Sequence, residues 1–271
     1  MPACSTAIHP AGWTITFTEE DHSYRSVIGG REISYVSGTQ FLGRYFPPFD
    51  PTGEITRRCA LREGVTEEEM KDRWAAKGRE SCRLGTRMHE TVEDRLLARP
   101  RRNSPEDETE RRRFEQAEGI AERIRARTDV VGVEKIVFSP ALGIAGTVDA
   151  LVRSRKDGTY CIVDHKSNAK IEEKDDNPYG KFCLAPIRHV PDTSFWHYAL
   201  QLNLYEYLLR REKYVPAGAR FRLFLNHVTA ERARLIELPD MQTEVRELLI
   251  DWLASRLAPP SEVDPQPDLD P

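Results

Sequence analysis

The stretch from Gly143 to Lys166, GIAGTVDALVRSRKDGTYCIVDHK, constrains this chain more than any other. Small and apolar residues alternate from Ile144 to Val152. Lys156-Asp157-Gly158-Thr159 is a turn signal, and Tyr160 to Val163 is a second run of strand formers. That pattern predicts a β-hairpin. Its first strand carries one acid, Asp149, and its second ends in Asp164 and Lys166. Residues two apart on a strand share a face, so Asp164 and Lys166 point together and His165 points away. Pairing the strands can bring Asp149 alongside them. Two carboxylates and one ammonium then meet at one rim of a sheet.

Such a trio suits hydrolysis of phosphodiesters with a divalent metal. All-oxygen ligands select Mg2+ or Mn2+, which stabilise charge on the phosphate and help make hydroxide from water. A nearby lysine can position or deprotonate that water, or offset the phosphate charge. An ordinary salt bridge on a surface hairpin has the same residues, so the rest of the chain must decide.

The chain has 271 residues, 39% hydrophobic and 31% charged, enough to bury a core in one large domain or two small ones. No apolar run approaches the ~20 residues that span a bilayer. The opening residues lack the charged and apolar regions of a signal peptide, so a cytoplasmic location and no membrane partner are expected. Cys4, Cys59, Cys82, Cys161 and Cys183 are scattered without a C-x-x-C pair. This fits reduced thiols and argues against a zinc knuckle or a cysteine-held iron–sulfur cluster. A net charge of −4 counts mildly against a protein that coats nucleic acid. Arginines nevertheless cluster at 99, 101 and 102, at 111 to 113, and at 123, 125 and 127. They read either as a solvated helix face with interleaved glutamates or as an edge that tracks phosphates.

Residues 1–12 read as a loose tail. Strands are expected at 13–18, 23–28 and 31–36, the last two joined by Gly29-Gly30. Short helices follow at 38–46 and 52–63. Thr66 with Glu69 forms a capping box that opens a helix over 67–76, bent at Gly78, ahead of a separate helix from Ser81 to Ala98. A charged helix over 105–127 and a strand over 130–139 lead into the hairpin. Residues 168–193 read as a long loop near the site. A helix over 196–207, strands at 220–227 and 234–237 and a helix over 241–257 complete the order. The fold class is α/β, with a mixed central sheet flanked by helices. Residues 1–65 read as an N-terminal β-hairpin and helical elaboration, 66–257 as the core, and 258–271 as an acidic, proline-rich disordered tail.

Two helices carry further candidates. His89 and Glu93 are four apart and share a face from which imidazole and carboxylate can reach a metal. Gln201 and Tyr205 also share a face, where an amide and a phenol can hold a phosphate or orient the acids and lysine.

Taken in order, G-T-x-x-H-E from Gly85, G-I-A-G-T-V-D from Gly143, V-D-x-K ending at Lys166 and A-L-Q-L-x-x-Y ending at Tyr205 resemble the RecB-type branch of the PD-(D/E)xK nuclease superfamily. The pattern also resembles that of the small phage-encoded exonucleases and their mitochondrial genome-maintenance relatives. The resemblance covers about residues 22–210 and includes the H-x-Y and V-S-G-T segments before the core. It implies a restriction-endonuclease-like core. His89 would be a metal ligand, Asp149 the central metal-binding acid for one or two ions, Asp164 the second acid and Lys166 the catalytic lysine. His165 would offer its backbone carbonyl to the metal, its side chain being incidental. Gln201 and Tyr205 would contact or orient the DNA end. Glu90 and Glu93 are secondary candidates, with Glu134 on the preceding strand in support. No cysteine set for an iron–sulfur cluster accompanies the motifs, and no helicase segment is present. The chain would act alone, as an oligomer, or delivered by a DNA-processing partner.

The expectation is a Mg2+- or Mn2+-dependent DNase, an exonuclease on single strands or duplex ends, leaving 5′-phosphates. Its rivals are a non-catalytic nucleic-acid-binding or assembly protein on the same fold, a glycosidase using Asp149 and Asp164, and a purely structural domain.

Overall fold

The computed structural model describes residues 4–48 and 53–257. Among the described residues nine strands form one sheet. Four of them, β1 (Cys4–Ile8), β2 (Thr14–Thr18), β3 (Ser23–Ile28) and β4 (Arg31–Ser37), make an antiparallel meander. The segment read as a loose tail therefore contains an edge strand. The five-residue, mostly exposed CSTAI run gives little strand signal of its own, but its backbone pairs with β2 from Cys4↔Thr18 to Ile8↔Thr14.

The meander joins the rest of the sheet through β4, which runs parallel to β6 (Ile144–Ser154) at Val36↔Ile144 and Ser37↔Ala145. One edge of β6 is covered along its length by β5 (Thr128–Ser139). The other edge is shared. β4 takes its first two residues, and β7 (Tyr160–Lys166) pairs with it only from Ala150↔Val163 to Arg153↔Tyr160. The sheet thus forks, and Gly146, Thr147, Val148 and Asp149 sit in the gap. Beyond β7 lie β8 (Phe221–Val228), parallel to it, and antiparallel β9 (Ala233–Leu238).

Helices cover both faces. Short α1 (Gly38–Gly43), α5 (Ser194–Arg211) and α6 (Gln242–Leu257) bury one face around Phe41, Leu151, Leu200, Leu204 and Leu248. On the other, α3 (Glu67–Leu96) and α4 (Glu108–Arg127) pack Met88, Val92, Ala117 and Ile120 against Ala150, Val152 and Val163. Helix α2 (Glu54–Glu63) precedes α3. The Thr66–Glu69 capping box forms as expected. The two helices expected on either side of Gly78, however, are a single helix of 30 residues. Gly78 is exposed with open space around its Cα, so it costs only the ~1 kcal/mol of glycine's helix propensity and imposes no bend. The loop over 167–193 contributes Ile171, Cys183, Ile187 and Val190 to the core beneath α5. The acidic tail lies outside the described residues. Among the described residues no helix is long and apolar enough to cross a membrane.

Candidate metal centre

Strand register builds the site. Val133↔Ala150 and Lys135↔Val148 flank Glu134 and Asp149 across β5 and β6. The β6–β7 register, continued by one residue from Ala150↔Val163, sets Asp149 beside Asp164. Glu134, Asp149 and Asp164 therefore form a row across three adjacent strands at the fork. Like charges directly opposite one another in a sheet are destabilising, so this row calls for a cation. Glu134 also holds a left-handed backbone at φ 47°, a strain that non-glycine residues carry mostly at functional sites.

His89 reaches the row from α3. Its Nε2 is 2.6 Å from the backbone carbonyl of His165, and its Nδ1 is 3.4 Å from Asp149 Oδ2. A carbonyl can only accept, so Nε2–H donates to it. The Nδ1 lone pair of a neutral ring would then face a carboxylate oxygen, an arrangement that needs a proton or a cation between the two. Ligand atoms of His89, Glu134 and Asp149 all lie within 4.8 Å of one another. Asp149 Oδ2 also accepts the backbone N–H of His165 at 2.8 Å, which fixes the carboxylate.

Asp164 belongs to the same row but not to that ligand cluster. Its Oδ2 lies 2.6 Å from Lys166 Nζ. Burial pushes its pKa up, with the Asp149 charge adding and Lys166 opposing. The lysine is buried as well. Burial works against its charge, but Asp164 and Asp149 overcome this and hold its proton more tightly than usual. The ammonium also sits 4.8 Å from the centre of the Tyr198 ring, a cation–π contact. The ring of His165 turns away from the row, as alternation requires, and lies buried with Nδ1 3.1 Å from Asn226 Nδ2. Burial depresses its pKa to about 3.

The remaining candidates divide. Glu90 accepts a short hydrogen bond from the Asn103 side-chain amide. Glu93 pairs with Arg102 at 3.0 Å, and Arg102 also forks onto the buried Asp94. These contacts hold the 97–107 segment against α3. Glu90, Glu93, Arg102, His89 and Glu134 line one open cleft of about 850 Å3. Tyr205 is only 4% exposed, and Gln201 Nε2 donates to its hydroxyl at 3.2 Å. Tyr205 thus presents little surface to solvent, and the role of orienting neighbours, one of the two expected for it, is the one its Gln201 contact serves. Its ring is wedged between Gly38 and Gly146, where a Cβ would come within 3.0 Å and 2.5 Å of its Cε1. The glycines of V-S-G-T and G-I-A-G-T-V-D thus make room for one tyrosine. Sequence reasoning ranked Glu134 as support, whereas the register makes it a full member of the cluster. It missed Tyr198, which a face shared with Gln201 three residues on would have suggested.

The electrostatics fit a divalent cation. Glu134 is exposed as a residue, yet desolvation of its carboxylate in the cleft first, then the charges of Asp149, Glu93 and Asp164, push it up to about 8 from 4.5, a shift that solvent screens in part. Between those values the native chain holds a proton that the unfolded chain has lost, so stability falls as pH rises. His165, at about 3 against an ordinary 6.5, works in the opposite sense below pH 6.5. The net loss is therefore expected between about pH 6.5 and 8. In EDTA the melting temperature should drop by about 2–4 °C across that window, the size of a ~1 kcal/mol change in a chain of this length. Adding Mn2+, or making Glu134→Gln, should flatten the slope. An unchanged slope in Glu134→Gln would remove Glu134 as its source.

A family model described as the PD-(D/E)XK nuclease superfamily matches residues 57–268, more than three quarters of the chain. No curated protein matches.

Proposed function

We propose, from the premise that this chain belongs to the PD-(D/E)XK nuclease superfamily, that it is a deoxyribonuclease of the RecB-like branch that degrades DNA from its ends. The observation that carries this reading is the row Glu134–Asp149–Asp164 across β5, β6 and β7, with His89 above it and Lys166 bonded to its last member. The order of the motifs supports the branch.

His89, Glu134 and Asp149, with the carbonyl of His165 and with Asp164 beside them, would hold Mg2+ or Mn2+. When bound, such an ion stabilises charge on the scissile phosphate and makes water more acidic. The oxygen donors suit a hard cation, and one imidazole is compatible with Mn2+. In the metal-free site Asp164 and Asp149 hold the Lys166 proton tightly, and as an ammonium it is a positive donor toward the attacking water or a phosphate oxygen. Asp164 and the Tyr198 ring hold that ammonium in place. In the hydrolysis, a water oxygen bonds to phosphorus and the P–O3′ bond breaks. The 3′ oxygen leaves with a proton from solvent, and the phosphate stays on the 5′ side of the next nucleotide.

Incubation of linear and covalently closed circular DNA with Mn2+, and with EDTA as control, tests the reading. Only the linear form should disappear, only with the metal, and the products should accept a labelled phosphate from a 5′-kinase only after phosphatase treatment. Cutting of the circle would overturn the exonuclease assignment. No cleavage of either form with Mn2+ or Mg2+ would overturn the nuclease itself.

A further inference from the structure

Most arginines on α3 and α4 are occupied by the chain's own glutamates. Arg87 pairs with Glu110, Arg95 with Glu118, Arg111 with Glu108 and Glu115, and Arg112 with Glu108. The sequence cluster at 111–113 is thus two-thirds a solvated, self-paired face. Arg113 departs from it. It makes no ion pair among the described residues, and its Nε is buried without an acceptor. It faces a groove of about 670 Å3 that Lys77 and Lys170 also line. Neither lysine makes an ion pair among the described residues, and Glu231 is the one acid in the lining. In a chain of net charge −4, three cations against one acid give this groove a net positive lining.

The groove begins where the catalytic strand ends. Ser167 and Asn168, which follow Lys166, form part of its wall. Asn168 is held by Tyr198, whose hydroxyl donates to its Oδ1 at 3.2 Å, and by His227, whose Nε2 is 2.7 Å from its carbonyl. Tyr198 is the residue whose ring lies against the Lys166 ammonium. Cys82 lines both the groove and the metal cleft. At Gly85, between them, a Cβ would lie 3.5 Å from Ser167 Oγ. The two depressions are therefore neighbours across one turn of α3.

We propose that this groove holds the sugar–phosphate backbone of a single DNA strand on its way to or from the scissile phosphate. The proposal rests on the nuclease reading and adds what the substrate presents beyond the cleaved bond. The lining has no aromatic side chain on which a base could stack. Its cations and hydroxyls suit phosphate oxygens, contacts that position a strand without reading its sequence. Its volume is that of a small-ligand pocket, ~300–1,000 Å3, room for a short piece of one strand and not for a duplex.

The test uses full-length Lys166→Met protein with Mn2+ and labelled oligo-dT of increasing length, read by fluorescence anisotropy over a salt series. Affinity should rise with length until the strand fills the groove. The triple variant Lys77→Ala/Arg113→Ala/Lys170→Ala should bind the longer oligonucleotides about 10-fold or more weakly. Its slope of log K against log salt should be shallower by about 2, at ~0.7 per phosphate contact on a single strand. Arg111→Ala/Arg112→Ala, which removes two paired charges from the same helix, should leave affinity and slope unchanged. Parental affinity and slope in the triple variant, with the wild type cleaving linear DNA, would overturn the groove alone. No oligonucleotide binding by the parent, with no cleavage by the wild type, would overturn the nuclease reading and the groove with it.

Discussion

Replacing Lys166 with methionine is expected to slow cleavage of linear DNA by about 10²–10³, the cost of removing one preorganised donor from a transition state. Methionine keeps an unbranched stem against the Tyr198 ring, so the change removes charge more than packing. Stability should fall too. Asp164 Oδ2 meets the ammonium at 2.6 Å, and both side chains are largely buried, at 18% exposed for lysine and 5% for aspartate. A buried carboxylate that loses its cation takes up a proton rather than remain charged. Its folded pKa is already raised by burial and should rise further. The variant should therefore lose stability as pH increases through that raised value, more steeply than the wild type. Asp164→Asn/Lys166→Met should recover the melting temperature without recovering cleavage. Melting curves at pH 6 and pH 8, with a rate on end-labelled linear DNA in Mn2+, separate the two effects. Cleavage by Lys166→Met near the wild-type rate would remove Lys166 from the chemistry.

The parts of this site that the sequence disclosed are those set by local rules. Asp164 and Lys166 share a face because strands alternate, and the turn at Lys156–Thr159 made the hairpin legible. The capping box at Thr66 marked a helix start because both partners lie within four residues. What stayed hidden depends on distant partners. The rank of Glu134 rests on the β5–β6 register, which shifts between Val130 and Gly132. No residue pattern announces that bulge, and a slip of one residue would have turned the carboxylate to the other face. Strand β1 is too short and too exposed to read as a strand and exists because β2 offers it a backbone ladder. Gly78 suggested a bend because sequence cannot tell a solvent-facing glycine from one at a packed crossing. The pairing of Gln201 with Tyr205 was readable from helix spacing. The burial of Tyr205 was not, because the glycines that make its seat lie 167 and 59 positions upstream.

That seat gives a second large expected effect. A methyl group at Gly146 would lie 2.5 Å from Tyr205 Cε1 and 2.9 Å from its hydroxyl oxygen. The ring is buried and packs close to Gly38 on its other side, where a Cβ would meet the same Cε1 at 3.0 Å, so it has little room to yield. Gly146→Ala should therefore behave as overpacking of a rigid core and cost about 1–3 kcal/mol. Melting should drop by roughly 2–4 °C for each kcal/mol. The damage should also reach the metal centre. Gly146 lies three residues before Asp149, where one edge of β6 is left open between β4 and β7, and Tyr205 anchors the Gln201 amide at 3.2 Å. Displacing the ring shifts the strand that carries the central carboxylate, so the stabilisation gained from Mn2+ should shrink in Gly146→Ala. Tyr205→Leu alone should destabilise by leaving a cavity and an unpartnered amide. Combined with Gly146→Ala, the smaller side chain makes space for the methyl, so the double variant should be more stable than the two single losses predict. A coupling of about 0.5–3 kcal/mol is the range for residues in direct contact. Strict additivity in this cycle, or a Gly146→Ala protein that melts with the wild type, would mean that Tyr205 is not seated on β6 and that the three motifs do not converge on one ring.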